Sequence, residues 1–439
     1  MASTSDEIGF LQIRLTTKQE QYAVPDYPLS VKSSTNKEEL NILVHGLLKE
    51  ANAEQNKVKF DFLVASQLLR TSLKEHLNER EISTEEVIEV EYVEKYPPPQ
   101  PKECIIQDDW ISAVAVHGKW ILTGSYDNSL HIWTTKGKQL LEISGHTSAV
   151  KAVAWVSVID NNAFFVSASE DQSTMIWSWN ITKNSAECVY ICEGHERGIL
   201  TLGLNHSKTQ LATGGWDTML KIWLTSTQNE TEDEEPTSKR IKAKRSKTRL
   251  PQRTLAGHKG AISGLVWSDK TEVITASWDH TLKIWDSELG GIKHEIPGNN
   301  VFFDVDYSPL ARAVIAPSTD NQLKLYDPRS SEGAIVKTVF KSHTSWVQCA
   351  RWSTVNEHLF VSGGHDGFVK LWDTRSPKAP LYDLTGHEDK VLCCDWSESN
   401  LIVSGGADNA LASWMFKQTE DRKSRDAPSL CNAKTQELA

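Results

Sequence analysis

The sequence lacks any stretch that would take it into or across a membrane. Its start, MASTSDEIGF, has no basic segment followed by an apolar run, and no apolar run approaches the ~18 residues of a spanning helix. The expectation is a chain with no signal peptide and no membrane span. Cysteine is sparse: seven residues, at Cys104, Cys188, Cys192, Cys349, Cys393, Cys394 and Cys431. The number is odd. Cys188 and Cys192 are four apart, but no second Cys/His pair follows at zinc spacing. Reduced thiols are expected, not a disulfide framework or a metal site. A phosphate-binding glycine loop and a unique nucleophile motif are missing as well, which argues against an enzyme. Positive charge is short overall, with a net charge of −11 and a pI near 5.7. That disfavours broad contact with a phosphate backbone, although a local basic patch could still provide it.

What the chain does have is tryptophan, sixteen in 439 residues, and much of it lies in a repeat. Asp127 is followed six positions on by Trp133, Asp171 by Trp177, Asp217 by Trp223, Asp279 by Trp285, Asp366 by Trp372 and Asp408 by Trp414. Asp320 is followed at the same spacing by Tyr326. Four positions before each aspartate stands a hydroxyl: Thr123, Ser167, Thr213, Thr275, Ser362 and Ser404, with Ala316 the exception. A histidine precedes five of the units, at His146, His195, His258, His343 and His387. The aspartates recur every forty to fifty residues, apart from a longer gap between Asp217 and Asp279. Internal repetition of this period points to a stacked or radial repeat fold.

From about Cys104 to Phe416 the pattern resembles the WD-repeat family. The resemblance implies a β-propeller with seven four-stranded blades. It also implies a use for the four recurring residue types. A buried indole N–H can only donate. In the family the hydroxyl accepts from the tryptophan and donates to the histidine, and the histidine reaches the aspartate. A buried polar group left unpaired would cost about 1–3 kcal/mol. The same residue types would suit a nucleophilic triad, but such a triad would be unique and open, whereas these sets recur and an indole caps each hydroxyl.

Two units depart from the pattern. Unit five, APSTDNQLKLYD, lacks the hydroxyl and the tryptophan, and its approach reads PGNN, so its blade is expected to lack the relay and to be softer. Unit one has Gln107 near the histidine position, which puts its relay in doubt. The last unit supplies three strands before the chain turns polar. ECIIQ, Glu103–Gln107, is unclaimed and is expected to complete blade seven, removing a free edge.

Residues 1–96 fall outside the repeat. GFLQIRLTT and YPLSVKSST read as strands, and Thr35 with Glu38 as a capping box opening a helix lined by Leu40, Leu43, Leu47 and Leu48. VKFDFLV reads as a third strand, LLRTSLKEHL as a short helical turn and VIEVEYV as the last strand. That order is the order of a small α+β ubiquitin-like fold. Expected boundaries are 1–96 for this domain, 97–102 for a proline-rich linker and 103–417 for the all-β propeller, with a disordered tail at 418–439. The combination, with FDFLV, LLRTSL, EVEY and the downstream DDW and SYD, resembles the NLE-type ubiquitin-like domain joined to a WD propeller. It is similar to the WD-repeat-twelve family, the ribosome-biogenesis WD-repeat proteins of the PeBoW complex.

The resemblance implies a non-enzymatic assembly factor for the large (60S) ribosomal subunit and its pre-rRNA processing. The implied partners are the Bop-type and pescadillo-type subunits of the complex, the pre-60S particle and the AAA ATPase midasin, in nucleolus and nucleoplasm. No membrane, small-molecule substrate or cofactor of its own is implied. In the family a loop glutamate before the last strand completes a Mg²⁺ site held by midasin. The matching residue is Glu85, with Glu86 adjacent as the alternative. One carboxylate can fill one octahedral position but cannot hold Mg²⁺ alone. The residues by themselves equally fit a solvated acidic loop.

Two further segments carry possible contacts. The residue before each repeat aspartate should lie on one face of the disc, which puts Tyr126, Trp216 and Trp278 there, joined by Trp110 and Trp346. Exposed, these would form a protein-docking face; otherwise neighbouring loops cover them. The long gap, 226–252, is first acidic and then basic, with almost no core formers, and reads as a disordered insertion. Its Lys239, Arg240, Lys242, Lys244, Arg245 and Lys247 fit a nuclear-import signal, an RNA-contacting segment or a merely solvated run. The competing function from another class is the substrate-receptor subunit of a ubiquitin ligase.

Overall fold

The computed structural model describes residues 9–50, 58–79, 82, 86–225, 247–329 and 336–417. The chain divides into a small N-terminal unit and a larger unit, Pro99–Phe416.

In the N-terminal unit, β1 (Phe10–Thr16), β2 (Leu29–Lys32), α1 (Lys37–Glu50), β3 (Phe60–Val64), β4 (Gln67–Leu68), α2 (Leu73–Glu79) and β5 (Ile88–Glu94) follow in order. The sheet runs β2-β1-β5-β3-β4, with β1 and β5 parallel. Alternation in β1 and β5 buries Leu11, Ile13, Leu15, Ile88, Val90 and Tyr92 against Leu40, Val44, Leu47 and Leu48 of α1. Leu43 sits at the rim of that core. Asn41 ties helix to sheet: its amide donates to Phe60 O at 2.9 Å and accepts from Phe60 N–H at 2.8 Å.

Two local expectations shift. The capping box of α1 is Asn36 with Glu39, one residue later than Thr35 with Glu38. Asn36 Oδ1 accepts from the N–H groups of Glu38 and Glu39 at 3.0 and 3.1 Å, and Glu39 returns a bond to Asn36 N–H. Thr35 is buried in the preceding turn, where its carbonyl accepts from Leu73 N–H. The segment read as a helical turn from Leu68 starts instead as β4, and the helix begins after Ser72, which caps it with Glu75.

The larger unit is a closed ring of seven sheets, each with four antiparallel strands and one of them with a fifth strand added at its outer edge. The innermost strands, such as Val150–Ile159 and Ile262–Trp267, pack against those of the next blade all the way round. Small residues make this possible. A Cβ on Gly214 would stand 2.6 Å from Ile262 of the next blade, and one on Gly405 would stand 2.4 Å from Ile111. The ring closes through β6 (Gln100–Ile106), which pairs antiparallel with Ala410–Met415. The strand therefore starts at Gln100, inside the segment expected as linker at 97–102. Across the same seam, Asp395 accepts from Val116 N–H at 2.7 Å and Ser397 Oγ donates to Val116 O at 3.0 Å.

The insertion differs from its expectation. Lys247–Arg249 forms a fifth strand, parallel to Ser185–Glu193 of blade two, and Arg253–Leu255 completes blade three. The reason is an unmet edge. Ser185–Glu193 is an outer strand whose backbone groups take a partner, and the Arg249 guanidinium stacks 3.6 Å from the Tyr190 ring centre. The rest of the expected insertion, and the 418–439 tail, lie outside the described residues.

Candidate functional site

Four blades carry the complete relay. In blade two, Trp177 Nε1 donates to Ser167 Oγ at 2.9 Å, Ser167 meets His146 Nε2 at 2.7 Å, and His146 Nδ1 meets Asp171 at 2.8 Å. Trp223, Thr213, His195 and Asp217 repeat it at 2.8, 2.7 and 2.7 Å. Trp285, Thr275, His258 and Asp279 do so at 2.8, 2.7 and 2.8 Å, and Trp372, Ser362, His343 and Asp366 at 2.9, 2.7 and 2.9 Å. The carboxylate only accepts, so Nδ1 carries the ring proton, Nε2 accepts from the hydroxyl, and the hydroxyl oxygen accepts from the indole. Burial alone pushes Asp171 and Asp279 up, but bonds from the histidine and from Ser173 or Thr281 outweigh it and hold both well below the carboxylate range. The order hydroxyl–imidazole–carboxylate is that of a nucleophilic triad. Here the hydroxyls of Ser167, Thr213, Thr275 and Ser362 are fully buried beneath an indole, so no substrate atom reaches them.

Three blades vary the theme. In blade seven His387 bonds Asp408 at 3.0 Å and Ser404 at 2.7 Å, but Trp414 makes no bond to Ser404 and packs its ring over Gly386. In blade one the doubted relay is rebuilt. Gln107 Nε2 donates to Thr123 Oγ1 at 2.9 Å and Trp133 Nε1 to the same oxygen at 3.2 Å, while His131 reaches Ser129 at 2.7 Å. In blade five Asn300 takes the histidine's place on Asp320 at 3.0 Å, joined by Ser318 and by Lys324 at 2.6 Å. Tyr326 is buried edge-on to Phe302 where the others place tryptophan. Blade five thus exchanges the relay for a carboxylate-centred set.

The aspartate turns all open at one end of the ring, and there two sequence positions meet. The residue before each aspartate donates its N–H to the carbonyl of the residue three after the relay histidine position. Tyr126 bonds Trp110 at 3.0 Å, His365 bonds Trp346 at 2.8 Å, Trp216 bonds Gly198 at 2.9 Å and Trp278 bonds Ala261 at 2.9 Å. Trp216 lies edge-on to Trp278, 4.8 Å between ring centres. Trp278 continues to Phe303 at 6.4 Å, Phe303 to Trp346 at 5.7 Å, and Trp346 to His365 at 5.6 Å. Trp110, Trp216, Trp278 and Trp346 are 43, 38, 39 and 49% exposed, so neighbouring loops leave them open. Tyr126 is only half-buried, but it is already engaged: Lys151 donates to its hydroxyl at 2.6 Å and lies over its ring. Phe303 was missed in the sequence. It follows Phe302, which bridges Ser318 as Val347 bridges Gly364, so it stands at the place of Gln348, while the counterpart of Trp110 and Trp346 in blade five is Val301, whose carbonyl accepts from Thr319 N–H at 3.1 Å.

The aromatic belt rims the central channel, which encloses a cavity of about 420 Å³. Trp216, Trp278, Phe303, Lys151 and Glu170 line its mouth, and Asp304, Arg351 and Cys393 lie deeper. Arg351 pairs with Asp304 there. Among the described residues no group of three or more His, Cys, Asp or Glu could hold a metal ion. Glu85 lies outside the described residues. Glu86 is exposed in the bend that leads into β5. Of the basic run, Lys239, Arg240, Lys242, Lys244 and Arg245 lie outside the described residues, and Lys247 is exposed at the start of the added strand.

Residues 11–77 match the NLE (NUC135) domain family. Residues 103–134, 137–178, 186–223, 249–286, 334–373 and 378–414 match the WD domain, G-beta repeat, and the matched segments pass over the first three strands of blade five. A protein of Aedes aegypti described as "Ribosome biogenesis protein WDR12 homolog" is 54% identical over 409 residues, 93% of this chain and 96% of that one. Proteins of the same description from Anopheles gambiae and Drosophila mojavensis are 53% and 51% identical, over 93% and 94% of this chain and 95% and 96% of theirs. At such identity over nearly the full length of both partners, the chain belongs to the WDR12-homolog family of ribosome biogenesis proteins, an NLE domain followed by WD repeats.

Proposed function

We propose that this chain is a non-enzymatic assembly factor for the large (60S) ribosomal subunit and its pre-rRNA processing. It acts as a scaffold in a PeBoW-type complex in the nucleolus and nucleoplasm. The observation that carries the reading is the exposed aromatic belt at the channel mouth. Indoles open to solvent on a rigid ring are suited to anchoring a protein partner, since Trp is enriched among binding hot spots. The Bop-type subunit is the partner assigned to this face, with the pescadillo-type subunit held through it.

The N-terminal unit serves release. Glu85 offers one carboxylate oxygen to a Mg²⁺ held by midasin, a ligand type that Mg²⁺ accepts readily. Such a bond is short and directional, and it transmits the pull of the ATPase to the propeller, stripping the complex from the pre-60S particle. This chain supplies one donor; the rest of the coordination belongs to the partner.

The test is co-purification on the tagged full chain. Trp216→Ala with Trp278→Ala is expected to lose the Bop-type subunit while thermal unfolding stays unchanged, each anchor being worth about 2 kcal/mol or more, roughly thirtyfold in Kd. Glu85→Ala is expected to keep that subunit and lose metal-dependent midasin binding. Retention of both partners by both variants refutes the assignment.

A further inference from the structure

Four blades bury a lysine in their third strand. Lys221, Lys283, Lys324 and Lys370 are 7, 4, 8 and 5% exposed. A buried ammonium needs compensation from hydrogen bonds and opposite charge. In blades four and six it comes from the residue directly across the ladder on the fourth strand. Lys283 faces Glu295 and pairs with it, and Lys370 faces Asp383 and pairs with it at 2.8 Å. In blade five the facing residue is Val339, and Lys324 turns instead to Asp320 at 2.6 Å. Blade three departs from the other three. Lys221 faces Thr254, whose hydroxyl accepts from its Nζ at 3.2 Å. Among the described residues Lys221 forms no ion pair.

The place opposite Lys221 is open to solvent. Glu295 and Asp383 keep side chains 50 and 49% exposed while they pair with their lysines, and Thr254 at the same register is exposed as well. The arrangement singles out one hydroxyl. The described fourth strands carry three other serines and threonines: Ser144 faces Ser129, Ser185 faces Asn180 and Thr338 faces Leu325, none of them a cation. The strand that holds Thr254 is also short, Arg253–Leu255. Its counterpart in blade six, Tyr382–Leu384, is equally short, and there the Lys370–Asp383 pair ties it to the third strand. Blade three has no such tie, although the chain returns to the blade from the insertion through this strand.

We propose that Thr254 is a phosphorylation site, whose phosphate gives Lys221 the anion that Glu295 and Asp383 give the lysines of blades four and six. In the transfer, the Thr254 hydroxyl oxygen attacks the γ-phosphorus of ATP held by a protein kinase. The bond from that phosphorus to ADP breaks, and the hydroxyl proton passes to the kinase's carboxylate base. The product carries about 1.5–2 negative charges near neutral pH and three acceptor oxygens. Arg253 stands just before Thr254, Arg249 five positions before it and Leu255 just after it. Cations ahead of the hydroxyl are a charge pattern that suits a kinase with an acidic substrate groove. The phosphate fastens the outer strand to Lys221 and so sets how firmly the returning end of the insertion is held to blade three.

The test has two arms. In the first, the tagged full chain is isolated from dividing cells with phosphatase inhibitors present, and the peptides that cover Thr254 are read by mass spectrometry. A phosphopeptide localised to Thr254 is expected, and its absence overturns the proposal. In the second, full chain carrying phosphothreonine at position 254, installed during translation, is compared with the unmodified chain by hydrogen exchange. Exchange at Gln252–Leu255 should slow by roughly tenfold, the scale of one charge-assisted hydrogen bond. Lys221→Met should abolish that slowing. Met175 holds the same place in blade two, so this variant keeps a side chain that the ring already accommodates. Unaltered exchange in the phosphorylated chain, or slowing that persists in Lys221→Met, overturns the proposal. Partner co-purification is read separately, so a failure here leaves the docking assignment standing.

Discussion

Thr275→Val in blade four isolates what one relay hydroxyl contributes. Thr275 Oγ1 accepts from Trp285 Nε1 at 2.8 Å and donates to His258 Nε2 at 2.7 Å, with Thr275 fully buried and Trp285 1% exposed. Valine keeps the shape and removes both bonds. An indole N–H and an imidazole nitrogen are then left buried, at about 1–3 kcal/mol each. The methyl that replaces the hydroxyl returns about 0.8 kcal/mol through burial. The net expectation is a loss of about 2–4 kcal/mol. The assay is equilibrium denaturation with hydrogen exchange read at Val273–Leu282, because a ring of this size can open blade by blade. A second arm uses Trp285→Phe, which removes the orphaned donor. The double variant should then be more stable than the sum of the single effects predicts, by about 1–2 kcal/mol. A loss under about 0.5 kcal/mol, or strict additivity, would refute the claim that this hydroxyl joins indole to imidazole.

The buried carboxylates set a pH optimum. Burial pushes Asp306 up to about 6, while its Oδ2 accepts from Trp352 N–H at 2.7 Å, and Asp304 and Asp395 are raised for the same reason. A carboxyl raised on folding favours the folded state when protonated, so stability should increase by on the order of 1–2 kcal/mol as pH falls from about 7 to about 4. The relay aspartates are depressed. Their contribution is present above about pH 4 and is lost as pH falls further, so stability should turn down there. Asp306→Asn should flatten the slope between pH 7 and 4, which denaturation midpoints measured against pH would show. Truncation tests the seam: residues 99–417 should fold alone, whereas residues 108–417 lack β6, expose the edge of Ala410–Met415 and should elute as aggregates on gel filtration.

The sequence by itself determined the period, the blade count and the membership of the four complete relays, because those depend on local spacing: Asp, six residues, Trp places both on one turn and strand whatever surrounds them. It also determined the closing strand, since seven units with three strands at the last leave one edge to fill. The substitutions were decided only in three dimensions. Gln107 and Asn300 take over from histidine because each reaches the hydroxyl or carboxylate left open at its position, which spacing does not reveal. Trp414 misses Ser404 although its spacing is regular. Phe303 joins the aromatic belt through register across blades, not along the chain, and Lys247–Arg249 becomes a strand because an outer edge of blade two accepts it.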